Sequence, residues 1–325
     1  MSNLIEQAAK RLEELRRAGV DASNGVTMGD REQDLGSAPT PEALVVALEG
    51  RAAAHGPSKT LRHGPGESRP AGDTNQTRSV PARHVDIDFR WLKSRGFVTP
   101  EAFLSQIAEE FRVIKRPVIR NAHGHGGTRV KNGNLVMVTS ALPSEGKTFT
   151  SLNLAMSMAT EVDSTVLLVD GDVAHPSIPG LLGAPHGPGL LDLLTRDDLD
   201  FADALVHTNV EKLTILPAGS RHRRATELLA SEQMASLLRE IATRYPDRII
   251  IFDSPPLLAT TQARVLATNM GQIIMVVAAD STSQHAVNQA LATIESCEIV
   301  MMVLNKASRT DVGAYYGYYP NDEAT

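Results

Sequence analysis

Cysteine is almost absent: Cys297 is the single one in 325 residues. That excludes an intrachain disulfide framework and a thiolate metal cluster supplied by one chain. It fits a reducing compartment. Long apolar runs are missing too. None approaches the roughly 18–20 residues needed to cross a bilayer, and the longest, such as residues 273–279, have strand length. The first residues carry charge from Glu6 onward and lack the apolar core of a signal peptide. Excess positive charge is also lacking. The net charge of -6 and pI of about 5.9 argue against bulk nucleic-acid binding. A cytoplasmic protein is expected, with any membrane role supplied by a partner. The hydrophobic fraction of 42% and charged fraction of 22% suffice for a sizeable core.

Residues 4–18 read as an amphipathic helix, with Ile5, Ala8, Leu12 and Leu15 on one face and Asn3 with Glu6 as a capping pair. Residues 41–53 suggest another short helix. From about residue 56 to 83 the chain is rich in Gly, Pro, Ser, Thr and charge, as in a disordered linker. A helix is expected over residues 100–115, with Phe103, Ile107, Phe111 and Ile114 on one face. Residues 121–127, with His123 and His125, read as a connector, since no third metal ligand lies nearby in sequence.

Beyond residue 135 the pattern changes. Continuous apolar runs at 135–139, 166–169, 249–252, 273–277 and 300–304 alternate with helical stretches at 148–159, 225–245, 259–270 and 284–296. Such alternation indicates an α/β fold with a mostly parallel sheet and helices on both faces. No internal repeat is evident. The expected organisation is an N-terminal helical segment over 1–54, a linker over 55–84, a nucleotide domain over 85–310 and a tail over 311–325.

Ala141-Leu-Pro-Ser-Glu-Gly146-Lys147-Thr148 has P-loop spacing, with Ala at the usual first glycine. The backbone N–H groups of Ser144, Glu145, Gly146, Lys147, Thr148 and Phe149 would cradle phosphates at a helix start. Lys147 would neutralise the β- and γ-phosphates of ATP, and the Thr148 hydroxyl would hold Mg²⁺. Asp170 and Asp172 follow one apolar run and Asp253 follows another. All three therefore fall at the strand ends where open α/β sheets bind ligands, although strand-end aspartates also serve as ordinary turn residues. Leu142 occupies the loop position where partition-type ATPases carry a signature lysine, which argues against that class.

The set of P-loop, Asp170-x-Asp172 and Asp253-Ser-Pro-Pro resembles the bacterial tyrosine kinases of polysaccharide synthesis (the CapB/CpsD type). Glu109, Arg112 and Lys115, at three-residue steps, resemble that family's oligomerisation helix, with Lys115 in place of an Arg. Ala225-Thr-Glu-Leu-Leu229 resembles its Ser-Glu-Leu-Leu segment. The likeness extends to the autokinases of the exosortase (PEP-CTERM) exopolysaccharide system, which share the Phe111-to-Pro117 run and a tyrosine-rich tail. The resemblance implies a P-loop fold, MgATP as phosphate source, a homo-oligomer of ring-like form and a membrane-embedded chain-length-determinant partner. Two departures stand out. Ala174 replaces an arginine after the second aspartate, which implies weaker stabilisation of transition-state charge. Ser144 replaces a common glycine.

Of five tyrosines, Tyr315, Tyr316, Tyr318 and Tyr319 lie together near the C-terminus, between Gly313 and Pro320. Polar flanks suit an exposed phosphoacceptor segment better than a buried aromatic cluster. A phenol with a pKa near 10 needs a proton acceptor. Asp170 is assigned that role, and Asp172, Asp253 and Thr148 the metal. The resulting expectation is a tyrosine autokinase acting on its own tail and controlling exopolysaccharide polymerisation or export. The alternatives are a non-catalytic, nucleotide-switched scaffold and a positioning ATPase. The basic run from Arg221 to Arg224 reads as a solvated loop or an anion contact.

Overall fold

The computed structural model describes residues 83–102, 104–124, 130–245 and 247–307. The N-terminal helices and the tyrosine tail expected from the sequence lie outside these residues, as do Phe103, His125 and the linker up to residue 82; Arg83 and His84, expected to end that linker, instead begin a strand.

The described chain runs β1 (Arg83–Val85), α1 (Phe89–Ser94), α2 (Gln106–His123), β2 (Leu135–Ser140), α3 (Lys147–Met158), β3 (Thr165–Asp170), α4 (Ile178–Leu182), α5 (Leu190–Leu193) and α6 (Phe201–Ala204). It continues through β4 (Val206–Thr208), β5 (Leu213–Leu216), α7 (Ala225–Leu229), α8 (Glu232–Arg244), β6 (Arg248–Asp253), α9 (Thr261–Ala267), β7 (Gln272–Ala278), α10 (Gln284–Leu291) and β8 (Ile299–Asn305). The strands form one sheet in the order β1-β4-β5-β3-β6-β2-β7-β8. Every pairing is parallel except β4 with β5.

The apolar runs form central strands because both faces of the sheet are covered. Successive residues point to opposite faces. Leu135, Met137, Leu167, Val169, Ile250 and Phe252 enter a core shared with Met234 and Leu238 of α8 and Leu266 of α9. Val136, Val138, Val166, Leu168, Ile249 and Ile251 enter a second core with Phe111 of α2 and Leu152 and Met156 of α3. The sheet is thus a septum between two apolar layers.

Two expected helices differ. The one placed at 100–115 begins at Gln106, where Ser105 caps it, and runs on to His123. It passes through Pro117, whose missing N–H costs one backbone bond. The apolar face on either side, including Phe111 and Val118, is buried and outweighs that loss. Asn121 and His123 therefore end a helix rather than begin a loop, and the turn closes at Gly124 with φ 70°. The single helix expected over 225–245 is two. Ser231 interrupts it and caps α8, its side chain accepting the Met234 N–H at 3.2 Å. The three- and four-residue strands β1, β4 and β5 had no counterpart in the sequence reading. No described helix is long and apolar enough to cross a membrane.

Candidate functional site

The site lies at the C-terminal edge of the sheet. β2 sits between β6 and β7, so the loop leaving β2 emerges among the ends of β6, β7 and β3. Register places Asp170 directly opposite Asp253 on β3 and β6, and Asp253 opposite Val138 on β2. Adjacent strands are about 4.8 Å apart. Topology alone therefore brings two carboxylates beside the loop.

That loop turns into α3 through left-handed backbone at Ser144 (φ 64°) and Gly146 (φ 100°). Gly146 is the N-cap of α3, and no side chain caps the helix. The first N–H groups of α3 thus keep their donor capacity for an anion. Glu145 is 3% exposed. Its carboxylate accepts the Leu142 N–H (2.5 Å), the Ala278 N–H (3.3 Å) and the Thr282 hydroxyl. Its side chain braces the loop against the end of β7, and only its backbone is left for phosphate. The Phe149 ring is likewise a packing group, 5.0 Å from Phe97 and 6.5 Å from Phe111.

Thr148 Oγ1 donates to Asp253 Oδ2 at 2.6 Å, and Ser151 Oγ donates to Asp253 Oδ1 at 3.0 Å. Asp170 Oδ2 accepts the backbone N–H groups of Ser177 and Ile178, both at 3.0 Å. Asp170 Oδ1 is buried with no partner. Asp172 is only partly buried, and its Oδ1 accepts the His175 N–H at 3.1 Å. Burial, then the neighbouring Asp253, push the Asp170 carboxyl up to about 7. Burial pushes Asp253 up to about 6 against the opposing bonds from Thr148 and Ser151. Desolvation lowers the Lys147 ammonium, opposed by Asp253, Asp172 and Glu145.

The donors suit Mg²⁺. Among the described residues no group of three or more His, Cys, Asp or Glu could cage a metal by itself. Mg²⁺ is typically held by one or two carboxylates together with substrate phosphates and water. Thr148, Asp253 and Asp172 supply hard oxygens of that kind, and the orphaned Asp170 Oδ1 is a polar atom lacking a partner.

The three residues assigned to oligomerisation separate. Glu109 and Arg112 form an ion pair with each other on partly exposed α2 surface. Lys115 is 2% exposed. Its Nζ donates to Ser157 O (2.6 Å) and Thr160 Oγ1 (3.2 Å) and pairs with Glu161 (2.8 Å). Its ammonium is committed inside the chain, tying α2 to the end of α3. The residues Arg221 to Arg224 are exposed and follow β5 at the site's edge of the sheet. His123 contacts Ser164 Oγ at 3.2 Å. The sequence reading missed the bracing role of Glu145 and the part of Ser151; it offered Asn305 and Lys306 as either an adenine contact or a strand-end turn, and their side chains reach the loop carbonyls of Glu145 and Ser144. Asn305 and Lys306 lie some 160 residues from the loop, so only their strand-end position marked them in the sequence.

Fold and site together define a P-loop nucleotide-binding protein. A family model described as an AAA domain matches residues 144–306, half of the chain. The chain is 28% identical over 220 residues to the putative tyrosine-protein kinase CapB of Staphylococcus aureus, covering 67% of this chain and 92% of that protein. It is 29% identical to the tyrosine-protein kinase YwqD of Bacillus subtilis (strain 168), covering 57% and 76%. The crystal structure of the VpsO kinase domain superposes with a TM-score of 0.52 at 30% identity, covering 63% of this chain and all of that one. The chain belongs to the bacterial tyrosine kinase family.

Proposed function

We propose that this chain is a tyrosine autokinase that transfers the γ-phosphoryl group of ATP to Tyr315, Tyr316, Tyr318 and Tyr319. The observation that carries the reading is the Asp170–Asp253 pair beside Lys147 and Thr148, with Asp170 Oδ1 unsatisfied. The phenol oxygen attacks the γ-phosphorus while the bond to the β–γ bridging oxygen breaks and ADP leaves with its electrons. The phenol proton passes to Asp170 Oδ1, directly or through one water, since the side chain is covered. A carboxyl raised to about 7 is matched to that task near neutral pH. Lys147 holds the phosphate charge, and loop N–H groups fix the transferring group. Bound Mg²⁺ supplies charge neutralisation at the phosphates, held by Thr148, Asp253 and Asp172.

Several phosphotyrosines at about -1.5 to -2 charges each repel one another and an acidic rim. That favours release of the tail and disassembly of a homo-oligomer. Glu109 and Arg112 present the oligomer surface. A membrane-embedded chain-length-determinant protein recruits the chain to the inner face of the membrane and couples it to exopolysaccharide polymerisation or export. The naming of relatives as tyrosine-protein kinases supports this reading. The test is to incubate the purified protein with MgATP and map phosphate. Label on Tyr315 to Tyr319 that disappears in Lys147→Met supports the kinase. Label elsewhere only, or label that survives Lys147→Met, rejects it.

Ala174, partly buried and without charge where the family carries arginine, favours a second reading. In it, ATP governs assembly of a scaffold without phosphotransfer. Nucleotide-dependent oligomers with no phosphotyrosine would establish that alternative.

A further inference from the structure

The end of β8 reaches back to the phosphate loop. Asn305 Nδ2 donates to Glu145 O at 2.8 Å, and Lys306 Nζ donates to Ser144 O at 2.7 Å. The Asn305 carbonyl accepts the Ala279 N–H at 2.8 Å, which anchors the strand end to β7. These bonds fall on the two carbonyls next to the loop's left-handed residues. Ser144 holds φ 64°, a region that disfavours residues with a Cβ. Gly146 lies so close to Asn305 that an added Cβ would sit 2.0 Å from Nδ2. Lys306 itself has φ 60°, so both sides of the contact are held away from relaxed backbone. The Glu145 side chain completes the clamp through Ala278 and Thr282.

We infer that Asn305 and Lys306 are positioning residues for the phosphate cradle. They hold Ser144 and Glu145 in the left-handed turn that aims the loop's N–H groups, and do so without touching the nucleotide. A loop whose fourth position is serine needs this restraint more than one with glycine there, because glycine adopts positive φ freely. The inference rests on the nucleotide-binding half of the proposed function and is independent of phosphotransfer.

The experiment measures MgADP affinity by calorimetry on the full chain, for Asn305→Ala, Lys306→Met, Ser144→Gly and each latch variant combined with Ser144→Gly. Each latch variant removes one hydrogen bond, so its Kd is expected to rise about 2- to 10-fold. Lys306→Met belongs at the low end because Lys306 is exposed. In the Ser144→Gly background the effect should shrink below about twofold, since the turn no longer needs holding. An unchanged Kd in both latch variants overturns the inference. So does a loss that persists in full beside Ser144→Gly, which would mean direct contact with the nucleotide. Thermal unfolding confirms that each variant folds, and Lys306→Met, at an exposed site, keeps the test open if Asn305→Ala does not. A wild-type chain that binds MgADP but labels no tyrosine sinks the kinase and leaves the latch standing. One that binds no MgADP sinks both.

Discussion

Acidification should stabilise the nucleotide-free protein, the reverse of ordinary acid denaturation. Asp170 and Asp253 stand at about 7 and about 6 in the folded chain, against 3.8 for an unperturbed aspartate. Between those limits the folded state keeps protons that the unfolded state has released, so stability falls as pH rises from about 4 to 7. At about 1.4 kcal/mol per unit, Asp170 alone accounts for at most about 4 kcal/mol and Asp253 for about 3. Asp253 is itself one cause of the rise at Asp170, so the two are not independent and we take a few kcal/mol for the pair together. Urea unfolding at steps from pH 5.5 to 7.5 measures this. The informative quantity is the difference between wild type and Asp170→Asn, which removes the larger contribution and cancels what the two chains share. The variant should gain stability over wild type as pH rises, by about 2 kcal/mol across that range. Mg²⁺ with ADP should oppose the trend, because metal binding needs the carboxylates deprotonated. A wild type minus Asp170→Asn difference that does not move with pH refutes the reasoning.

Gly146→Ala combines φ 100° with a Cβ placed on Asn305. It should cost about 2–3 kcal/mol in urea unfolding, and pairing it with Asn305→Ala should recover only the steric share. Lys115→Met should destabilise by about 2 kcal/mol, because Glu161 loses its buried partner while retaining some exposure. Calorimetric melting reads that loss, and the oligomer's mass by sedimentation should stay as in wild type. Glu109→Ala with Arg112→Ala should do the opposite: the mass falls, while stability moves by less than about 1 kcal/mol, as for an exposed ion pair.

The central strands were legible because a strand buried on both faces must be apolar throughout, as in Leu135 to Val138 and Ile249 to Phe252. The loop was legible because phosphate binding constrains spacing. Strand β4, with only Val206, His207 and Thr208, is too short for any period to show. The extent of α2 was obscured by Pro117, whose local cost is outweighed by packing that sequence does not display. The side-chain roles were the least legible. Glu145 and Lys115 look like surface charges, yet each is buried and satisfied by partners far along the chain. Asp170 was found by its strand-end position, but its covered, doubly bonded state depends on Ser177 and Ile178 folding over it.

The end of β8 has a mechanical consequence. The described chain leaves the sheet after Asn305, and the side chain of the next residue, Lys306, grips Ser144. Tension applied to whatever follows residue 307, by a docked partner or by an enzyme holding a tyrosine, is delivered first to that grip. In the proposed reading, a load on the downstream chain therefore reaches the phosphate cradle through the single Lys306–Ser144 contact.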